Sequence, residues 1–271
     1  MKIALAYPPM ESPKGTALLS QNRQFQYFNE PTYIYPMVPA YAATLLKSRG
    51  HDVAWLDGIA ERWTYEQFVS RLAEFGPQMV IMETKSPVVK TTWKLVADLK
   101  RRFPETAVVL VGDHVSWNPQ ETFANCPVDY IITGGDYDFL SANLADRLSG
   151  KDVTLEGGIW WREASSKPQI SNLKSQTPNL GWQEGVIRNS GPLEFNSHKL
   201  DNLPMVDRDL TRWQLYAYHN GNYKYLPGTY TYAGRDCWWG RCTFCVWEFT
   251  LNPKGSYRIH SAERVLDEVG H

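Results

Sequence analysis

GPQMVIMETKSPVVKTTWKLVADLKRRFPETAVVLVGDH, residues 76 to 114, decides the fold. It holds an apolar run, QMVIME (78–83), an amphipathic stretch across 88–103, and a second apolar run, AVVLVG (107–112). Neither run alternates polar with apolar residues. Unbroken Val, Ile, Leu and Met runs joined by a helix mark parallel strands covered on both faces. The same unit recurs on either side. Upstream, KIALAY (2–7) and VAWLD (53–57) are strand patterns, and helices are expected over 36–49, stopped by Gly50, and over 64–75. Downstream come a short helix near 119–125, the strand DYIIT (129–133) and a helix near 137–149. Residues 1–150 are therefore predicted to be α/β, a doubly wound five-stranded parallel sheet. The first connection, across 8–35, is long for such a fold, and long connections are often functional.

Beyond 150 the pattern changes. Residues 151–206 combine WWRE with a Ser, Asn, Gln and Pro-rich stretch, read as a linker with small irregular or β structure. Residues 207–271 form a third region, aromatic at first, with TYTYAG (229–234) as its expected strand. SAERVLDEVGH (261–271) opens as a helix with Ser261 as cap and Glu263 just inside. The tryptophans and tyrosines at Trp160, Trp161, Trp182, Trp213, Tyr216 and Tyr218 are expected to pack the domain interface, with capping of a flat ligand as the alternative.

The 271 residues are 43% hydrophobic and 21% charged, the balance of a chain with a real core. A net charge of −1 gives no surface for a polyanion, so no nucleic-acid partner is expected. MKIALAYPP is too short for a signal-peptide core, and no apolar run approaches a membrane span. Four cysteines, three of them crowded, do not make a disulfide framework, which points to a reducing, cytoplasmic setting.

Ligands of open parallel sheets sit outside the carboxyl ends of the strands. Those ends here are Tyr7-Pro8-Pro9, Asp57-Gly58, Glu83-Thr84-Lys85-Ser86, Gly112-Asp113-His114 and Thr133-Gly134-Gly135-Asp136. The paired glycines allow close backbone approach, and the hydroxyls of Thr84, Ser86 and Thr133 suit polar ligand edges. Each position also reads as an ordinary βα turn, and His114 reads as a hydrogen-bonding loop residue before a ligand, since no second ligand sits at metal spacing. No GxGxxG follows the first strand, which argues against a dinucleotide site.

GRDCWWGRCTFCVWEF (234–249) carries the chemistry. Cys237, Cys242 and Cys245 lie within nine positions among aromatic residues. Three thiolates so placed suit an iron–sulfur cluster or zinc. A closed zinc site needs a fourth ligand, which Cys126, His219 or His260 would have to supply. Three thiolates on a [4Fe–4S] cluster leave one iron open to a small molecule. Arg235 and Arg241 read either as partners of such a group or as surface arginines.

This stretch resembles the cluster loop of the radical S-adenosylmethionine (SAM) enzymes, in its CTFC end and in its flanks, GRD before and YRIHSAERVLDEV after. The resemblance implies a [4Fe–4S] cluster on Cys237, Cys242 and Cys245, SAM on the open iron, and Phe244 close to the adenine. Four residues separate Cys237 from Cys242 where the family usually has three, so Cys237 departs from the pattern. The order of the first 150 residues is similar to that of the cobalamin-binding domain of the B12-dependent subfamily, and LDNLPMVDRDL resembles the linker that follows it there. That implies cobalamin over the strand ends, at Tyr7, Pro8, Asp57, Thr84, Ser86, Gly112, Asp113, His114, Thr133, Gly134 and Gly135. The Asp-x-His-x-x-Gly signature is absent, so cobalamin is expected to lack a histidine as lower axial ligand.

Only the first strand, the cluster loop and one helix of a partial barrel fit between 229 and 271, so the chain is expected to be the front portion of an enzyme. It is not expected to turn over alone, and a second chain carrying the rest of the barrel is one expected partner. A small-molecule substrate and a reductant such as flavodoxin or ferredoxin are the others. Methyl transfer through cobalamin is the leading expectation, with oxidative cyclisation of a tetrapyrrole-like substrate as the alternative. Outside the enzymes stand a cobalamin-binding module with structural zinc and a flavodoxin-like or nucleotide-sugar-binding domain.

Overall fold

The computed structural model describes residues 1–10, 12–19, 26–29, 32–163, 185–194, 197–220, 223–245, 251 and 255–270. Its elements run β1 (Lys2–Tyr7), β2 (Thr16–Leu18), β3 (Gln26–Phe28), α1 (Met37–Ser48), β4 (Asp52–Asp57), α2 (Tyr65–Phe75) and β5 (Met79–Glu83). There follow α3 (Val89–Arg102), β6 (Ala107–Val111), α4 (Asp113–Trp117), α5 (Pro119–Asn125), β7 (Tyr130–Ile132) and α6 (Tyr137–Leu148). The remainder are β8 (Ile159–Glu163), β9 (Val186–Asn189), α7 (Gln214–Ala217), β10 (Gly234–Arg235), β11 (Arg258–Ile259) and α8 (Ala262–Gly270).

The sheet order is β4-β1-β5-β6-β7-β8-β9, and every pair from β4 to β7 is parallel. This is the doubly wound sheet expected from the sequence, with its switch point between β1 and β5. Side chains alternate across it. Ile3, Leu5 and Tyr7 of β1 enter the core under α1 and α6, while Ala4 and Ala6 face the opposite core with Phe68, Leu72, Val96 and Leu99. Period-2 strands between two helical layers require such a division.

The helices begin and end where local chemistry dictates. Thr64 Oγ1 accepts from Gln67 N at 3.2 Å and Gln67 Oε1 accepts from Thr64 N at 2.8 Å, a reciprocal cap for α2. Gly76, with φ +63, ends the same helix in the left-handed conformation. Pro39 sits in the first turn of α1, where no backbone donor is needed. On α8, Ser261 Oγ accepts from Arg264 N at 3.2 Å, as the sequence predicts.

Three features differ from the sequence reading. The first connection contains an antiparallel hairpin, β2 with β3. The region from 151 adds β8 and β9 as antiparallel strands, so the sheet continues past residue 150. The strand expected at 229–234 shrinks to β10, which pairs only with β11. No longer partner is available to 229–233 among the described residues, and strands need ladder partners. Arg208 holds that segment instead, donating to Thr229 Oγ1 at 2.7 Å and to the Tyr230 carbonyl at 3.3 Å.

Of the interface aromatics, Trp160 and Trp161 lie on β8, Trp213 packs on the core, Tyr216 is buried and Tyr218 is exposed. Trp182 lies outside the described residues. Among the described residues, no helix is long and apolar enough to cross a membrane.

Candidate functional site

The carboxyl ends of β1, β5, β6 and β7 lie side by side because the strands are parallel and in register. At the switch point the Tyr7 hydroxyl donates to Glu83 Oε2 at 2.9 Å, and Lys85 Nζ stands 3.4 Å from Glu83 Oε1. Burial pushes the Glu83 carboxyl up, opposed by Lys85 and Tyr7, and burial drives the Tyr7 hydroxyl well above its usual range. Thr84 is buried, its hydroxyl 2.8 Å from that of Thr92. Gly112 has φ +115, and a Cβ there would lie 2.3 Å from the Thr84 carbonyl oxygen. Glycine is required by that approach of β6 to β5.

Beyond these, Thr133 Oγ1 donates to the Gly158 carbonyl at 2.9 Å, and Gly134 N donates to Ser116 Oγ at 2.9 Å. His114 Nδ1 stands 3.2 Å from Ser86 Oγ, and His114 Nε2 stands 3.2 Å from Glu121. Tyr7, Pro8, Asp57, Thr84, Gly112 and Gly134 are buried, whereas Ser86 is exposed and Asp113, His114, Thr133 and Gly135 are half-buried. The more accessible positions therefore gather at the ends of β5, β6 and β7.

Asp57 is separate from that row. It ends β4 and is covered by Tyr216, whose hydroxyl donates to Asp57 Oδ2 at 2.6 Å. Burial raises its carboxyl to about 6 despite this bond and those from the Ile59 and Ala60 amides. Beside it, a cleft of about 970 Å³ opens at the ends of β1 and β4, with Pro9, Tyr33, Gly58, Arg62, Trp63 and His219 in its walls.

The cysteine loop leaves β10 at Asp236, whose φ is +72. Cys237, Cys242 and Cys245 are all half-buried free thiols, and Cys245 N donates to the Cys242 carbonyl at 3.1 Å. Gly240, with φ +53, gives the longer first interval its turn. Among the described residues no three His, Cys, Asp or Glu side chains converge as a metal site, so the three thiols are not gathered round one point. The donor set itself, three soft sulfur atoms on one half-buried loop, suits iron–sulfur binding. The other thiol does not. Cys126 is buried in the core, and burial pushes it up to about 12. His260, another candidate, is buried with Nδ1 2.9 Å from Asp201 Oδ1. Phe244 is 85% exposed beside Cys245. Trp247 lies outside the described residues.

The two arginines of the loop part ways. Arg241 is exposed and stacks on Trp239 with its guanidinium 5.5 Å from the ring centroid. Arg235, read from sequence as a partner of the cluster or a surface residue, is neither. It is buried, donating to Asp138 through Nη1 (3.0 Å) and Nη2 (2.7 Å) and to Asp136 Oδ1 at 3.1 Å. Arg258 chelates the same Asp136 at 2.6 and 2.7 Å, and His198 Nδ1 lies 2.8 Å from it. Burial alone would raise the Asp136 carboxyl; His198, Arg258 and Arg235 hold it well below the carboxylate range. Asp138, His198 and Arg258 escaped the sequence reading. The available signal was complementary charge, Asp136 directly after Gly134-Gly135 and Arg235 two residues before Cys237.

Comparison with known proteins agrees with this geometry. Residues 31–142 match the B12 binding domain family. Over 270 residues, 99% of its length, the chain is 23% identical to "Uncharacterized methyltransferase PH0819" of Pyrococcus horikoshii, half of which the match spans. Two structures of the cobalamin-dependent S-adenosylmethionine radical enzyme OxsB superpose over 99% of this chain and 31% of their own. With aqua-cobalamin and S-adenosylmethionine bound the TM-score is 0.70, and with aqua-cobalamin alone it is 0.67, each at 15% identity. The chain thus spans half of its curated relative and about a third of OxsB. Residues 31–142 thus match the B12 binding domain family, and over 99% of its length the chain shares the fold of the matched third of OxsB.

Proposed function

We propose that this chain is the cobalamin-binding and cluster-bearing part of a B12-dependent radical SAM methyltransferase. One observation carries the reading: Arg235 anchors the cysteine loop to Asp136 and Asp138, just past β7 and within the stretch that matches the B12 binding domain family. A loop that serves cobalamin chemistry needs to be there. When bound, the cluster and SAM supply a carbon radical and cobalamin supplies a transferable methyl group.

The residues of this chain do the holding. Cys237, Cys242 and Cys245 provide three thiolates, and Gly240 with the half-buried loop lets them draw together as the cluster assembles, since metal sites are seldom formed in advance. Phe244 offers an exposed ring to the adenine. Ser86, Asp113, His114, Thr133 and the 134–135 backbone meet the polar edge of cobalamin. Tyr7, Thr84 and Gly112 fix the strand ends from beneath. Substrate and reductant are a small molecule and a small redox protein, and residues 1–150, 151–206 and 207–271 act as three regions of one scaffold.

The test is anaerobic reconstitution of the full chain with iron, sulfide and hydroxocobalamin, read by visible and EPR spectra. A coloured, EPR-active cluster with retained cobalamin is expected. A colourless protein holding one zinc per chain would sink the proposal.

A further inference from the structure

We infer that Arg235 is a positioning residue, which fixes the cysteine loop at a set distance from the end of β7 by gripping Asp136 and Asp138. The inference rests on the functional reading above, because it concerns the spacing of the two cofactors.

The geometry is unusual for a surface ribbon. β10 and β11 pair in the register Gly234 with Ile259 and Arg235 with Arg258. Two guanidinium groups therefore stand directly across from one another, an arrangement that is repulsive on its own. Asp136 lies between them and binds both, 3.1 Å from Arg235 Nη1 and 2.6 to 2.7 Å from Arg258. That shared carboxylate offsets the repulsion across the ribbon. Asp138 then takes Arg235 in a two-point grip, and Arg258 reaches forward to Asp236 at 3.2 Å.

Asp136 and Asp138 follow the 134–135 glycines after β7, Asp136 at the N-cap position of α6 with no side-chain capping bond and Asp138 in its first turn. Cys237 follows Arg235 by two residues, a reach of roughly 7 Å at most. The first thiol is thus tied by a short stretch of chain to the turn that faces cobalamin. Bidentate pairs fix orientation as well as distance. Buried ion pairs of this kind contribute little net stability compared with apolar packing, so a geometric role explains them better than a stabilising one.

The experiment uses the full chain loaded with cob(II)alamin and the reduced cluster, with their separation measured by pulsed EPR. Arg235→Gln and Arg235→Lys are compared with wild type, and hydroxocobalamin retention reports that the first region is folded. Wild type should give one narrow distance distribution, Arg235→Gln a broad one, and Arg235→Lys, which keeps charge without the fork, an intermediate one. In the cofactor-free chain, backbone amides of 236–245 should exchange roughly tenfold faster or more in Arg235→Gln, with the β1 and β6 amides unchanged. Where Arg235→Gln does not fold, Asp138→Asn carries the same expectation. Unchanged distances and unchanged exchange in a variant that retains cobalamin overturn the inference. A wild-type chain that takes up no cluster or no cobalamin overturns the functional reading instead. Exchange alone then decides whether Arg235 anchors the loop.

Discussion

The Tyr216 hydroxyl lies 2.6 Å from Asp57 Oδ2, joining α7 to the end of β4 across 159 residues of chain. The same hydroxyl accepts from Trp55 Nε1 at 3.0 Å. Tyr216→Phe removes a donor from a buried carboxylate and strands the indole N–H, at a cost of about 2 kcal/mol. Burial raises Asp57 to about 6, so its own contribution favours the fold below about pH 4 and is lost as pH rises through 6. The missing hydroxyl therefore matters most where Asp57 is ionised. Urea unfolding should show a larger loss at pH 8 than at pH 5; equal losses would count against the pairing.

His198 gives a slope of the same sign in a higher pH window. Burial lowers its basicity, but the hydrogen bonds to Asp136 (2.8 Å) and Glu156 (2.6 Å) outweigh that and lift it to about 9. Its ring also lies flat on Phe139, with centroids 4.5 Å apart. A raised histidine stabilises fully below its unfolded value near 6.5, and the effect fades as pH rises through 9. Stability should fall by about 1–2 kcal/mol over that window, allowing for the exposed side of Glu156. His198→Gln should flatten the profile, as measured by denaturant unfolding at stepped pH.

Gly112→Ala tests the strand-end approach. The new methyl would sit 2.3 Å from the Thr84 carbonyl at φ +115, and backbone must shift. A loss of roughly 2–4 kcal/mol is expected. Gly150→Ala shares the positive φ but meets nothing within 4 Å, so it should cost about 1 kcal/mol. Hydroxocobalamin retention should drop in the first variant only.

Alanine at Cys237, Cys242 or Cys245 should each remove the reconstituted iron signal and leave thermal stability near wild type, because the thiols are half-buried loop groups. Cys126→Ala should do the reverse, keeping the iron while losing about 1–2 kcal/mol of stability from the core. Iron assay and thermal melts decide. Iron lost with Cys126 would reassign the fourth ligand.

Legibility followed distance along the chain. β1, β4, β5, β6 and β7 and their helices could be read because apolar periodicity and caps such as Ser261 are local signals. The β8–β9 extension could not, since WWRE acquires its role only from pairing with β7. TYTYAG misled for the related reason that its tyrosines alternate with no neighbouring strand among the described residues. In the site, the cysteines announced themselves, whereas the fate of Arg235 depended on acids 97 and 99 residues earlier. No local pattern encodes a partner so remote.

Asp136 binds side chains from three separated segments, at His198, Arg235 and Arg258. It sets a rule for recombination between relatives. A chimaera that exchanges residues 1–150 for another protein's must import matching acids at this turn, because Asp136 serves both arginines and Asp138 holds Arg235 as well.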